Sequence, residues 1–224
     1  MTQKFVLASR WLSAACLLVM AVAPSLRAAE SETRDFMVRV DGKPCGNAVF
    51  TIQRQDDGTT VVTCDTNVVV KVLIKKYVYT CRSQETWKNG RLQQLSSQCN
   101  DDGKQYQVTG VAQTDGIHVR VNGRENVVRP EAWVTSYWKL PDPKLRDQII
   151  PTLEGDNGRE MQGRLQYVGA AQIAVAGQLQ NVHHYRYNGP TTIYLYYDAN
   201  ETLVRREWVE EGHPTVLELT RLRR

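Results

Sequence analysis

The sequence predicts an all-β, mainly antiparallel fold: a strongly curved meander sheet, or a partly closed β-barrel, of about a dozen strands with one short helix. Turn-forming pairs such as Asn-Gly and Asp-Gly recur along the chain after residue 40. The segments between these turns are rich in β-branched and aromatic residues and lack internal proline, as a paired sheet requires. Only residues 129–153 interrupt the pattern.

The strongest hairpin signal is Asn89-Gly90, which lies between two runs of strand-forming residues. Both central positions of a type I′ turn need a positive φ, and Asn-Gly meets this requirement. Setting Lys88 opposite Arg91 places Trp87 opposite Leu92, on a face that we expect to be buried. The rest of the chain is predicted to be organised around this central hairpin.

The first 28 residues have the pattern of a secretory signal peptide, and we expect them to be removed. Lys4 and Arg10 form a positive end, residues 11–23 form an apolar run, and Leu26-Arg27-Ala28 precedes the cleavage site. The apolar run is shorter than the roughly 20 residues that cross a bilayer. Cys16 does not favour a lipoprotein, because the apolar run continues past it.

Residues 29–224 are therefore predicted to form a single periplasmic domain with no transmembrane segment. Cleavage lowers the formal net charge from +4 to +1, because Lys4, Arg10 and Arg27 are lost and no acid is. So small a charge does not predict a nucleic-acid partner. A chain of this size buries roughly 70% of its extended surface, which is enough for a hydrophobic core.

Four cysteines follow the predicted cleavage site: Cys45, Cys64, Cys81 and Cys99. An even number in an exported chain favours two disulfides. The ideal hairpin register sets Cys99 opposite Thr80, so a single β-bulge brings Cys81 and Cys99 within bonding distance. Cys45–Cys64 then follows by exclusion, with free, buried thiols as the alternative.

Strand-forming runs precede and follow the interruption at the spacing of an antiparallel meander. The first set is Asp35–Val40, Ala48–Arg54, Thr59–Cys64, Val68–Ile74, Tyr77–Trp87, Leu92–Cys99, Tyr106–Gln113 and Ile117–Val121. The second set is Met161–Val168, Gln172–Val175, Leu179–Tyr187, Thr192–Tyr197, Leu203–Val209 and Thr215–Leu222.

A short helix is predicted inside the interruption. Asp142 is a suitable N-cap, and Pro143 fits the first helical position. Leu145 and Ile149 would share one face, and Pro151 would end the helix.

Three large aromatic residues, Trp133, Tyr137 and Trp138, occur within six positions just before this helix. Two interpretations remain open: a plug that closes one end of the sheet, or a lid over a ligand cavity. In the second case these residues, together with Trp87, are candidates to bind a ligand.

Four further residues are candidates to line the walls of such a cavity and bind a ligand. Thr192–Tyr197 is apolar on both faces, so Tyr194 and Tyr196 could line the interior. His183 and Tyr185 lie on the more aromatic face of their strand and are candidates for the same pocket.

Six motifs occur in order: Val40-Asp41-Gly42-Lys43 with Gly46, Glu85-x-Trp87-x-Asn89-Gly90-x-Leu92, Asn100-x-x-Gly103-Lys104, Thr135-x-x-Trp138, Tyr185-x-Tyr187-x-Gly189 and Leu195-x-Tyr197-Asp198. This order resembles a family of exported bacterial proteins known only as a domain of unknown function. The resemblance implies a periplasmic antiparallel β protein and supplies no catalytic residues. The layout is also distantly similar to open-barrel carriers that shuttle lipoproteins across the periplasm, by analogy of fold alone.

The common catalytic, cofactor and metal motifs do not occur in the sequence, so no cofactor or metal is predicted. His183 and His184 are adjacent on a predicted strand and point to opposite faces, which prevents them from sharing one metal.

Glu85 shares a face with Trp87 and has two interpretations. It is either a buried acid with a raised pKa or, as we prefer, the partner of an arginine such as Arg82 or Arg91. The pair Arg205-Arg206 is expected on a solvated edge or beside acids.

Taken as a whole, the sequence favours a non-catalytic binding or carrier protein for a lipophilic component of the cell envelope. The alternatives are a structural or assembly partner of another envelope protein, and a hydrolase or lyase. The sequence makes no prediction of the oligomeric state.

Overall fold

The structure, a computed structural model, describes residues 30–72 and 75–224, so the expected signal peptide lies outside the described residues. These residues form one sheet of fifteen strands, numbered β1 to β15 in chain order. The strands are Glu30–Val40, Lys43–Arg54, Thr59–Val72, Lys75–Lys88, Arg91–Asp101, Lys104–Ala112, Ile117–Val121, Arg124–Val128, Trp133–Val134, Ile149–Leu153, Glu160–Val175, Gln178–Asn188, Thr192–Tyr197, Leu203–Glu210 and His213–Arg223.

The strand order across the sheet is β8-β7-β6-β5-β4-β3-β2-β1-β15-β14-β13-β12-β11-β10-β9. Neighbouring strands are antiparallel except for β9 and β10, which are parallel. Strands β8 and β9 form the two edges, and the sheet curves strongly: Ala176 at the tip of the β11–β12 hairpin donates its N–H to Leu219 O in β15, at 3.3 Å. The predicted all-β, mainly antiparallel, curved meander is confirmed.

The central hairpin has the predicted register at its turn. Asn89 and Gly90 have φ values of 52° and 75°, and Lys88 lies opposite Arg91. A β-bulge next to Trp87 then shifts the pairing by one residue. Cys81 and Cys99 become direct partners and form a disulfide.

The predicted Cys45–Cys64 bond is wrong, because both residues are free thiols. The pairing of β2 with β3 sets Cys64 opposite Phe50 and Gly46 opposite Val68. Cys45 therefore lies about five positions from the place that would face Cys64, and strands advance about 3.3 Å per residue. Cys45 and Cys64 are free thiols, as the alternative prediction stated.

The predicted short helix reduces to one 3-10 turn at Pro143–Leu145, capped by the Asp142 side chain, which accepts from Lys144 N at 2.9 Å. Arg146 already has extended backbone angles. Ile149, expected on the helix face, starts β10 and is 62% exposed. Pro151 lies inside β10, where β9 reaches only the last two residues, and such a position tolerates proline.

Two hydrophobic clusters fill the concave side of the sheet. The larger contains residues of β1 to β3, of β10 to β15 and of the segment 133–140. The smaller consists of Leu92, Leu95, Val108, Ile117, Val119, Val128, Ala132, Val134 and Leu153. Trp87 packs against both, so the central hairpin joins them. Within the described ranges, no helix is long and apolar enough to cross a membrane.

Candidate functional site: an aromatic plug inside the sheet

The segment Trp133–Leu140, here called the plug, is packed into the larger core cluster. Trp133, Tyr137 and Trp138 are all buried. Trp133 meets the ring of Tyr137 edge-on at 4.6 Å, and Trp138 meets that of Trp87 at 6.2 Å, both measured between ring centres. Four of the predicted ligand-binding residues thus come together, but as core side chains in contact with one another.

The plug has a compact backbone. Trp133 and Val134 form β9 beside β10, and Tyr137 N then donates to Val134 O at 3.1 Å. Tyr137 has a φ of 48°, an unusual value for a bulky residue. The indole N–H of Trp133 closes the segment by donating to Lys139 O at 3.0 Å. The chain therefore turns sharply inside the sheet.

The sheet holds the plug through three of its backbone carbonyls. Arg34 Nη1 on β1 donates to Trp138 O at 2.7 Å, and Tyr197 OH on β13 donates to Tyr137 O at 2.9 Å. A third, longer contact of 3.4 Å joins Arg206 Nη1 on β14 to Thr135 O. These three donors bind carbonyl oxygen atoms. Oxygen acceptors of this kind also occur in molecules other than this chain.

Glu85 lies beneath the plug and is 1% exposed. Trp87 Nε1 donates to its carboxylate at 2.7 Å. Burial raises the pKa of Glu85 to about 7, although the polar side chains of Ser136, Trp87 and Trp138 act in the opposite direction. The predicted ion pair with Arg82 or Arg91 is wrong for Arg82, which pairs with Asp65 at 3.3 Å. The burial of Glu85 agrees with the alternative interpretation, that of a buried acid.

Two further groups, Asp156 and Cys64, also have a raised pKa. Tyr79 OH donates to Asp156 at 3.2 Å, and burial raises the pKa of Asp156. Burial also raises the pKa of the Cys64 thiol to about 12, so its nucleophilic thiolate is scarce at neutral pH. In the part of the chain that the structure describes, no cluster of three His, Cys, Asp or Glu side chains could hold a metal ion.

The remaining predicted site residues lie apart from the plug. Tyr185 is buried and meets Tyr197 edge-on at 6.0 Å, whereas His183 is exposed beside Tyr167. Tyr194 and Tyr196 stack around His184. The prediction that Tyr194 and Tyr196 line the interior is wrong, because the alternation of β13 turns Ile193, Leu195 and Tyr197 inward instead.

Two recesses on the structure lie away from the plug. One, of about 360 Å³, is lined by polar residues of β2 to β5, including Asp65 and Arg82. The other, of about 440 Å³, lies between the β11–β12 tip and β14–β15. Neither is lined by a plug residue, and the aromatic rings of the plug are buried in the core instead.

The residues that hold the plug were not among the sequence-based candidates. Arg34 could have been found, because alternation along β1 places it on the same face as Phe36 and Val38. Arg206 follows Arg205, and the two differ: Arg205 pairs with Glu207 and Glu218, as expected, but Arg206 lies against the rings of Tyr137 and Trp208. Arg205 and Arg206 lie on opposite faces of β14, and only the register of that strand assigns Arg206 to the interior.

The comparisons with known proteins give a family and a fold. A family model described as a domain of unknown function, DUF6134, matches residues 36–220. No curated protein matches the sequence. Among the solved structures, the chain is similar to a β-barrel-like protein of the domain of unknown function DUF1849 from Brucella abortus, with 8% identity and a TM-score of 0.63 over 89% of this chain and 99% of that one. At this identity the likeness shows the fold alone.

Proposed function

The chain belongs to the DUF6134 family of domains of unknown function, and we propose that it is a non-catalytic periplasmic carrier for a lipophilic component of the cell envelope. The ligand enters the interior of the curved sheet when the plug moves out. The observation that carries this proposal is the plug itself, a segment inside the sheet whose backbone carbonyls accept hydrogen bonds from side chains of three other strands.

The plug has features of a segment that can leave its place. Tyr137 keeps a left-handed backbone conformation, which costs about 1–3 kcal/mol. Tyr137 OH is buried without a hydrogen-bond partner. This unsatisfied hydroxyl and the backbone strain oppose the burial of the aromatic rings, and they reduce the free energy needed to open the plug.

The interior that the plug leaves is suited to an acyl chain. Apolar residues of several strands, among them Phe36, Phe50, Ile52, Leu165 and Leu195, belong to the same cluster as the plug. Each methylene that a ligand buries contributes about 0.8 kcal/mol, so a chain of about ten carbons gains roughly 8 kcal/mol before ordering costs. Binding in the micromolar range requires a net gain of about that size.

A second function, that of an assembly partner for another envelope protein, is favoured by one surface feature. The β11–β12 hairpin exposes Leu179 at 71%, together with Tyr167 and Val168. Tyr167 and Val168 are adjacent, and exposed apolar side chains of this kind can contact another protein. This function needs no movement of the plug, and that difference separates the two proposals.

A disulfide lock on the plug tests the carrier. Lys139 of the plug forms an antiparallel bridge with Thr202, and such partners lie within disulfide range. Lys139→Cys with Thr202→Cys, in a background of Cys45→Ala and Cys64→Ala, would fasten the plug to the sheet. Binding is followed with N-phenyl-1-naphthylamine, an uncharged dye whose emission rises in apolar surroundings.

We expect the oxidised lock to abolish binding of the dye and reduction to restore it. The background protein without the two new cysteines, taken through the same reduction, controls for loss of the Cys81–Cys99 bond. Equal binding with the plug locked and free would place the dye outside the interior and overturn the carrier. Absence of binding to the background protein would overturn the carrier as well.

The periplasmic location has a test of its own. Mass measurement of the exported protein should show a chain that begins at Ala29.

A further inference from the structure

Arg206 is an interior cation that lacks a paired carboxylate. Its guanidinium carbon lies 4.2 Å from the ring centre of Trp208 and 5.0 Å from that of Tyr137. Its one hydrogen bond, to Thr135 O, is long at 3.4 Å, and its Nε is buried without a partner. Among residues 30–72 and 75–224, no ion pair within 4.0 Å joins Arg206 to an acid.

The other arginines near it are paired. Arg205, the preceding residue, contacts Glu207 and Glu218 on the other face of β14. Arg34, the buried arginine of β1, donates to Glu32 at 2.6 Å. A partly buried cation is normally matched by an opposite charge, because burial removes its hydration. Arg206 is the exception among these three.

Asp156, an acid on which the charge of Arg206 acts, and its neighbour Glu154 have other partners. Glu154 is bound by Arg159 at 2.8 Å. Asp156 accepts the hydrogen bond of Tyr79; Arg206 acts to lower the pKa of Asp156, but burial, with Glu154 acting in the same direction, outweighs it and leaves that pKa raised. The donors of Arg206 are therefore left for an anion that comes from outside the chain.

Withdrawal of the plug would release three donors in one region. Thr135 O leaves Arg206, Tyr137 O leaves Tyr197, and Trp138 O leaves Arg34. Tyr197 lies close enough to both arginines for each of their charges to act on its hydroxyl. A ligand that carries only hydrocarbon would leave all three donors buried and unsatisfied, which disfavours it. A ligand with several oxygen acceptors at one end would satisfy them.

We propose that Arg206 is the headgroup site of the interior and that the ligand is an anionic amphiphile, an acyl or alkyl chain that ends in a carboxylate or a phosphate. This inference rests on the carrier function proposed above. A guanidinium matches both anions through two parallel N–H donors. The ring of Trp208, which belongs to the sheet and stays when the plug leaves, holds the guanidinium plane in position.

The test compares three ligands that share one twelve-carbon chain: dodecanoate, dodecyl phosphate and dodecanol. Each is used to displace N-phenyl-1-naphthylamine from the purified protein. We expect both anions, or the one whose headgroup fits, to bind about tenfold or more tightly than the alcohol. The tighter anion distinguishes a carboxylate source from a phosphate source.

Variants assign this preference to Arg206. Arg206→Gln should remove the advantage of the anions and leave the affinity for dodecanol, whereas Arg206→Lys should keep part of it. Arg205→Gln is the matched control, because it removes the same charge from the other face, and it should keep the full preference. If Arg206→Gln does not fold, the anion-to-alcohol ratio of the unaltered protein still tests the ligand class.

The outcomes separate the two proposals. Dodecanol binding as tightly as the anions, or a preference that survives Arg206→Gln, would overturn the headgroup site and leave the carrier standing. Failure of the dye itself to bind would overturn the carrier, and the headgroup site with it.

Discussion

Arg34 and Trp138 are 104 residues apart in the sequence, yet Arg34 Nη1 donates a 2.7 Å hydrogen bond to the carbonyl oxygen of Trp138. Arg34 is 2% exposed and also donates to Glu32. Glu32 in turn accepts from Arg224, at 3.1 Å. Burial acts to raise the pKa of Glu32, but the two arginines outweigh it and leave that pKa below its usual range. Glu32 and Arg34 of β1 thus form a charged cluster with Arg224, the residue after β15, and Arg34 joins this cluster to the plug.

Arg34→Met should lower the free energy of unfolding by about 3–5 kcal/mol. The change leaves Glu32 buried with only the half-exposed Arg224 as partner, and it leaves Trp138 O without its donor. Urea unfolding at neutral pH measures the loss. Arg39→Met on the same strand is the control, because its ion pair with Glu218 is partly exposed and should be worth less than about 1 kcal/mol. Equal losses in the two variants would contradict a special role for Arg34.

The thiol count of a protein that lacks residues 1–28 follows from the cysteine arrangement. Without reduction, the unfolded protein should show the two thiols of Cys45 and Cys64, and after reduction four. A thiol-reactive chromophore in denaturant measures both values. No free thiol before reduction would mean that a second disulfide forms.

Replacing Cys81 and Cys99 together by alanine should lower the free energy of unfolding by about 3 kcal/mol, as expected for a loop of 18 residues. Cys45→Ala is the control and should cost far less.

Local chemistry made much of the fold predictable. Asn89-Gly90 specifies its turn through two positive φ values, and the alternation of the strands follows from their sequence. The Cys81–Cys99 bond was also within reach, because both residues belong to one hairpin. Contacts between distant segments were not predictable from the sequence. The direction in which Trp133–Leu140 turns depends on donors that come from three other strands.

The failed predictions share this cause. Cys45 and Cys64 lie on neighbouring strands, but their register depends on the whole β2–β3 pairing. The helix signal at Asp142-Pro143 is real for one turn, after which pairing of β10 with β11 overrides the local preference. The interior position of Arg206 depends on the β14 register, and nothing in the neighbouring sequence distinguishes it from Arg205.

Trp87→Ala should cost about 3–5 kcal/mol of unfolding free energy, because Trp87 packs against both core clusters and meets Trp138 edge-on. The matched variant Trp87→Phe keeps an aromatic ring but removes the N–H that Glu85 accepts. It should cost about 1–3 kcal/mol, the value of a lost hydrogen bond to a buried acceptor. Urea unfolding ranks the two. If Trp87→Ala melts like the parent, the hairpin does not join the clusters as the structure indicates.

The titration of Glu85 should make the free energy of unfolding depend on pH. Burial raises the pKa of Glu85 to about 7 in the folded protein, from the ordinary value of 4.5 for a glutamate. Between these two pH values the folded state binds more protons than the unfolded state, so stability is full below about pH 4.5 and falls as the pH rises through 7. A shift of this size corresponds to a loss on the order of 3 kcal/mol.

Glu85→Gln removes the titration and keeps the shape of the side chain, so the variant should lose this fall in stability. At pH 5 it should unfold close to the parent, and at pH 8.5 it should be the more stable protein by a few kcal/mol. Urea unfolding of both proteins at several pH values isolates Glu85, because every other group titrates equally in the two. Asp57→Asn is the control: that carboxylate is exposed, its pKa is lowered by the hydrogen bonds of Thr59 and Lys88, and its loss should leave the slope above pH 5 nearly unchanged. Parallel profiles for the parent and Glu85→Gln would mean that Glu85 is solvated, and that the plug already opens under native conditions.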